Sequence, residues 1–213
     1  MAGTAGAQES SSRRYRSPLR EGRARETRDK VVAAAAEQFL ANGWAGTGMR
    51  GIAQSAGVAV ETVYSHFPSK RALLDAVIDI SVVGDEHPVA LADRPEFAAL
   101  GTGQRSDRIA AAAHLLALVQ DRTSRFARVV REAAPSDEQI HEVLRATRRR
   151  QRRDIDAAAA LIIGRPLAAS EVDELWVLFS PDVYLMFIEE GGWTTDRYES
   201  WAAATLSRIL PHP

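Results

Sequence analysis

The sequence predicts an all-α protein of about nine helices, and three observations carry that prediction. Apolar residues recur at a helical period through most of the chain, no stretch alternates apolar and polar residues as a half-buried strand does, and the breaks fall at Gly, Pro and capping residues. Residues 1–22 are rich in Gly, Ser and Arg without periodicity and read as a disordered basic arm, its arginines continuing to Arg28. From Thr27 to Leu40, Val31, Val32, Ala35, Ala36, Phe39 and Leu40 mark a first helix that Asn42-Gly43 stops. Met49, Ile52, Ala53 and Ala56 mark a second, ended by Gly57 where a left-handed backbone is needed. A third runs from about Ala59 to Phe67, with Ala59, Val63 and Phe67 facing inward. After Pro68, Ser69 caps a fourth that reaches about Ile80.

The remainder reads the same way. A Pro/Gly-broken stretch (84–104) precedes a helix capped by Ser106 that reaches Gln120, and a separate segment, 122–134, ends at Pro135. Ser136 to Gln139 form a capping box for a long helix to Ile163, closed by Gly164. Ser170 opens the next, which reaches Glu190 and stops at Gly191-Gly192. Ser180-Pro181 kinks or restarts it, because proline lacks a backbone donor. Thr195 to Leu210 form the last. The domain division expected is 1–22 as arm, 23–75 as a helix-turn-helix unit and 76–213 as a second helical domain.

Composition narrows the function. Among 213 residues, 46% are hydrophobic and 26% charged, ordinary for a globular chain. The absence of cysteine excludes disulfides, thiolate metal sites and thiol nucleophiles. No apolar run is long enough to span a bilayer and no secretory signal is present, so no membrane partner and a cytoplasmic location are expected. The net charge of −1 hides an asymmetry: residues 1–80 hold 11 Lys/Arg against 8 Asp/Glu, and residues 81–213 hold 16 against 20. A polyanion would meet the basic front. The five histidines form no metal-binding pair, and no nucleophile elbow, phosphate loop or paired-carboxylate motif appears. No catalytic residue, metal or cofactor is therefore expected, and the chain does not read as an enzyme.

Three short apolar-faced helices within residues 27–67 make a helix-turn-helix arrangement. With its apolar residues turned inward, the third helix presents Val60, Glu61, Tyr64 and Ser65, with Thr62 at the edge: methyl, carboxylate and hydroxyl groups suited to a DNA major groove. Spacing alone leaves open a helical adaptor or architectural protein that uses this unit for protein contact. Residues 27–75 resemble the N-terminal domain of the TetR family of transcriptional regulators. The matching residues are Phe39, Gly43, Thr47-Gly-Met-Arg-Gly-Ile-Ala53, Ala56-Gly57-Val58 and Thr62-Val-Tyr-Ser-His-Phe-Pro-Ser-Lys70, followed by Ala72-Leu73-Leu74. The end of the chain, Glu190 to Trp201, also resembles the family's closing segment. The resemblance implies that Tyr64, His66 and Lys70 contact phosphates, and that Val60, Glu61, Thr62 and Ser65 lie at or near base edges. Arg50 is a further source of phosphate attraction. The chain departs from the family at Ala59, Val60, Gly48 and Gly51. Its recognition helix has no Arg or Lys of its own, so the arm (Arg20, Arg23, Arg25, Arg28) should carry more of the phosphate attraction.

By the same resemblance, residues 76–213 bind an effector and pair two subunits on double-stranded operator DNA, release of a repressor by ligand being the expected mechanism. The helix holding Trp176, Val183 and Phe187 is apolar nearly all round and must bury two faces, and the last helix carries Tyr198, Trp201, Leu206 and Ile209. These seven residues are the expected homodimer interface. His114, Phe126, Val130, Leu144, Trp176, Phe179, Tyr184 and Phe187 are candidates to line a pocket for a lipophilic or aromatic effector. The arginines 145, 148, 149, 150, 152 and 153 point all round one helix and read as a solvated face paired to acidic neighbours.

Overall fold

The computed structural model describes residues 18–83 and 94–210, with side chains from residue 22 onward, and among the described residues there is no strand. Helix α1 (Pro18–Gly46) is interrupted at Gly43, whose φ of 65° and ψ of −173° end the regular helix where Asn42-Gly43 predicts. Its beginning differs. The helix starts at Pro18 instead of Thr27, so residues 18–22 are helical; the arm expected at residues 1–17 lies outside the described residues. Arg, Glu and Ala dominate this first stretch and favour helix. Lys30 reaches Glu26 at 2.7 Å one turn earlier, and the Thr27 hydroxyl donates to the Arg23 carbonyl at 2.9 Å. Residues 22–26 are exposed, so no apolar period could announce them.

Helices α2 (Met49–Ala56), α3 (Val60–His66) and α4 (Lys70–Val83) follow, and Ser69 Oγ accepts the Ala72 N–H at 3.1 Å as the cap of α4. A single turn, α5 (Pro95–Ala98), continues as a 3₁₀ turn that buries Leu100. Helix α6 (Arg105–Ala133) joins what the sequence divides at Gln120–Arg122 into two helices. The dividing residues are polar but helix-competent, and Gln120 and the nearby Ser124 are buried with partners. Gln120 Nε2 donates to the Phe179 carbonyl at 2.5 Å, and Ser124 Oγ donates to Gln120 Oε1 at 2.9 Å. The helix is capped at Gln104, whose N–H meets Asp107 Oδ2 at 3.0 Å, and not at Ser106.

Asp137, one residue beyond the expected Ser136, caps α7 (Glu138–Ile163) by accepting the N–H groups of Gln139 and Ile140 at 3.0 and 3.2 Å. Helix α8 (Ala169–Leu178) stops before Ser180-Pro181, as expected, and α9 (Pro181–Leu185) restarts there and runs into a π-helical turn, Met186–Glu190. This break removes the usual i+4 partner of the Phe179 carbonyl, because the Val183 N–H turns to Ser180 Oγ instead; Gln120 supplies the replacement donor. Helix α10 (Thr195–Ile209) closes the fold.

The centre is α6, which packs on α1, α4, α7, α9 and α10. Its C-terminal half belongs to one apolar cluster in which Phe126, Val130 and Ala133 meet Phe39, Leu73, Leu74 and Val77 of α1 and α4 and Ile140 and Val143 of α7. That cluster crosses the 75/76 division drawn from the sequence, and α4 runs through it unbroken. The N-terminal half of α6 holds a second cluster with α7, α8, α9 and α10. There an aromatic knot forms, with Tyr184 edge-on to Tyr198 at 4.8 Å and Phe187 between Trp193 (4.3 Å) and Trp201 (4.7 Å).

Tyr198 is fully buried, its hydroxyl has no hydrogen-bond partner among the described residues, and burial pushes its pKa well above the ordinary tyrosine value. An unpaired buried hydroxyl costs about 1–3 kcal/mol, so Tyr198→Phe is expected to raise the thermal midpoint by removing that cost. Gln120→Ala leaves the Phe179 carbonyl without its donor and is expected to destabilise by a comparable about 1–3 kcal/mol in a denaturant melt.

Candidate nucleic-acid interface and effector cavity

The turn between α2 and α3 is built on Gly57, which sits at φ 67°, ψ 33°. Its N–H and that of Val58 return to the Gln54 and Ala53 carbonyls at 3.2 and 3.0 Å, closing α2 in a left-handed cap. The chain bends at Val58 and is extended at Ala59, and α3 opens with no side-chain cap there, as the residue type dictates. The inward register is shifted by one position from expectation. Ala59 is exposed, and Val60 packs half-buried against the core with Val63 and Phe67. Helical geometry begins only at Val60, so the buried stripe is Val60, Val63, Phe67 at i, i+3, i+7. Val60 is therefore removed from the exposed face on which the sequence places it.

What α3 does expose is Glu61, Tyr64 and Ser65, with Thr62 and His66 half-buried beside them and Arg50 exposed on the adjoining α2. Tyr64 is 52% exposed, unusual for an aromatic residue on a small head. Arg50, Glu61 and Tyr64 form no hydrogen bond or ion pair among the described residues, whereas the Ser65 hydroxyl donates to the Thr62 carbonyl at 2.7 Å. The set offers one cation, one carboxylate and two hydroxyls to a partner.

Lys70 is placed differently from expectation. Its ammonium donates to the carbonyls of Trp44 and Thr47 at 2.8 and 2.9 Å and lies 4.0 Å from the Trp44 ring centre. Two of its three N–H groups are thus spent inside the head, and burial lowers its pKa, with Asp137 opposing that shift. Trp44 itself has no place among the residues that the sequence singles out; its one local signal is an aromatic directly after Gly43. Arg28, the end of the expected arm, lies 5.2 Å over the Phe67 ring and so packs on the end of α3.

A cavity of about 410 Å³ opens between α4, α6, α7, α8 and α10. Four of the eight residues expected there line it: Val130, Leu144, Trp176 and Phe179. The other four do not. His114 is exposed and meets Glu199 at 3.0 Å, Phe126 lies in the core shared with the head, Tyr184 donates to Asp121 at 3.0 Å, and Phe187 sits in the aromatic knot. Residues the sequence did not single out, including Leu115, Leu116, Val119 and Ile155, supply most of the remaining apolar wall. Their helical spacing marks them as inward-facing, but spacing does not separate core from cavity.

Polar groups at the cavity are mostly committed. Trp176 Nε1 donates to Gln151 Oε1 at 3.3 Å, Arg150 pairs with Asp79 at 3.0 Å and Arg131 with Asp182. Asp154 forms no hydrogen bond or ion pair among the described residues; burial raises its pKa, opposed by Arg150 and Arg153. Beyond the cavity, Arg145–Glu142 and Arg152–Asp173 add two pairs, so three of the six arginines of the run are ion-paired among the described residues. Of the expected subunit interface, Tyr198 and Leu206 are buried within their own chain and Trp176 turns to the cavity, with Arg152 4.1 Å over its ring. Val183, Phe187, Trp201 and Ile209 stay half-buried, while Val177 and Met186 are more than half exposed.

A helix-turn-helix head with a polar exposed face is joined through a shared core to a helical body that holds a large apolar cavity. Residues 31–77 match the family described as bacterial regulatory proteins, tetR family. The match covers the helix-turn-helix head, and the fold of the whole described chain is that of solved TetR-family regulators. Solved structures similar to it include a protein of Mesorhizobium loti assigned to that family (20% identity, TM-score 0.65, covering 88% of this chain and 96% of that one). A TetR transcriptional regulator of Chloroflexus aurantiacus is 23% identical (TM-score 0.59; 88% and 97% covered). The multidrug binding protein EbrR, complexed with imidazole, is 18% identical (TM-score 0.55; 88% and 92% covered). At these identities the likeness is one of fold. Comparison with curated proteins finds no match. Among the described residues no helix is long and apolar enough to cross a membrane.

Ala59→Ser supplies the missing cap of α3 and is expected to raise stability by about 1 kcal/mol in a thermal melt. Gly57→Ala forces a side chain into the left-handed region and is expected to cost about 1–2 kcal/mol in the same measurement.

Proposed function

We propose that the protein is a homodimeric, cytoplasmic repressor that sets its two α3 helices in successive major grooves of a near-palindromic operator and lets go when a lipophilic or aromatic molecule fills the cavity. The observation that carries this reading is the exposed, uncommitted Tyr64 beside Glu61 and Ser65 on a helix held rigidly from behind by Val60, Val63 and Phe67. Tyr64 serves a phosphate oxygen, with Arg50, His66 and the third N–H of Lys70 in the same role. Glu61, Thr62 and Ser65 lie toward base edges, where a carboxylate accepts from a cytosine amino group and a hydroxyl serves either partner. Subunits pair through the surface of α8, α9 and α10, where Val177, Met186, Val183, Trp201 and Ile209 leave apolar area uncovered. An effector in the cavity touches α4, α6 and α7 together, so differential affinity for two head spacings is sufficient for release. The likeness in fold to EbrR, a multidrug binding protein, supports a small organic ligand.

Selection from random duplex DNA, followed by gel shift across a salt series, tests the reading. A two-fold symmetric consensus bound by a dimer in sedimentation analysis is the expected result; a monomer that ignores every duplex at low ionic strength overturns it. On the selected duplex, Tyr64→Phe weakens binding to all sequences alike, whereas Glu61→Ala relaxes preference at one base pair per half-site. Deleting residues 1–25 lowers affinity and flattens the logarithmic salt slope by about 0.9 for each phosphate that is no longer neutralised. An unchanged slope removes the arm from the interface.

A further inference from the structure

We infer that Trp44 is a positioning residue that pins the recognition head to the first turn of α7, so that the helix walling the cavity and the helices meeting DNA share one polar joint. Trp44 follows the non-helical Gly43 and its ring stacks on Phe39 at 5.9 Å with 13° between planes, which fixes the direction of the indole N–H. That N–H donates to Asp137 Oδ2 at 2.9 Å, across 93 residues of sequence. Asp137 divides its carboxylate between two tasks. Oδ1 accepts the first free N–H groups of α7, and Oδ2 holds the head. The indole bond is foremost among the causes that keep the Asp137 carboxyl below the usual carboxylate range.

The head side of the joint is equally bound. Lys70, the first residue of α4, grips the Trp44 and Thr47 carbonyls and covers the Trp44 ring. Thr47 in turn donates to the Gln38 and Gly43 carbonyls at 2.9 and 2.7 Å, so the segment entering α2 is tied to α1 as well. Phe39 of α1 and Lys70 of α4 therefore both pack on the indole, and Lys70 ties the segment entering α2 to it. On the other side, α7 carries Leu144, Ile155 and Ile162 of the cavity wall. A second polar tie from α7 to the head, Arg150–Asp79, joins side chains 42% and 63% exposed, and a solvated pair of that kind contributes little. The half-buried Trp44–Asp137 bond is the firmer of the two. Its role in relaying ligand binding rests on the cavity being the effector site; the pinning itself does not.

Two substitutions separate the bond from its surroundings. Trp44→Phe keeps an aromatic ring for Phe39 and Lys70 and loses the N–H. Asp137→Asn keeps an equally good helix cap and sets an amide N–H₂ against the indole in place of an acceptor. Hydrogen exchange on the unliganded full chain reads the outcome without DNA or effector. Each variant is expected to raise exchange about fivefold at the amides of 44–50 and of the first turn of α7, with helix content by circular dichroism unchanged. The double variant is expected to match either single one, because both remove the same bond. Parental exchange in both variants, or effects that add in the double variant, overturns the pinning. If the parent binds no duplex, the repressor reading fails while these exchange results still decide the joint. On a selected duplex, Trp44→Phe is expected to lower affinity severalfold with base preference unchanged; a changed preference overturns a positioning role.

Discussion

The structure depends on the apolar face that the C-terminal half of α6 shares with α1 and α4. Phe126, Val130 and Ala133 are buried against Phe39, Leu74 and Val77, so the small head does not have to bury its own surface alone. A unit of roughly fifty residues supplies little core by itself. By borrowing α6 and the start of α7 it gains one, and in the same act it becomes mechanically continuous with the helices around the cavity. The continuity between the two ends of the molecule is thus a consequence of stability.

Within that frame α3 is economical. Its seven residues make about two turns, anchored by Val60 and Val63 and by Phe67 just beyond its end, and the rest of the surface is free for a partner. Helix α3 carries no Lys or Arg, and the exposed cations outside it include Arg50 on α2 and Arg23 and Arg25 on α1. Lys70 looks from sequence like one more such cation. In the fold most of its hydrogen-bonding capacity holds the Trp44–Thr47 segment that α2 grows from, and its charge is partly spent on that task.

The body answers a different demand. Ser180-Pro181 breaks a helix inside the packed region, and Gln120 and Ser124 satisfy the polar groups that the break and the long α6 would otherwise leave buried. On one side of that break Phe179 and Trp176 wall the cavity; on the other Tyr184 and Phe187 lock into the aromatic knot with Tyr198 and Trp201.

The sequence by itself determined the helical class, most helix ends and the short third helix, because periodicity, Gly57, Ser69, Gly164 and Ser180-Pro181 act through local sterics and hydrogen bonds that need no distant partner. The family motif on residues 27–75 was equally legible, being a run of side chains at fixed spacing. Tertiary structure alone decided which inward-facing residues are core and which line a cavity: Phe126 and Val130 have the same character and helix, yet only Val130 reaches the open space. It also decided that Tyr198 and Leu206 face their own chain, that α6 is one helix, and that Val60 turns inward. Apolarity specifies that a side chain leaves water, while the neighbour it finds is fixed by helices far away in sequence. Trp44 and Asp137 make the same point with a hydrogen bond: 93 residues separate them, and nothing local to either one names the other.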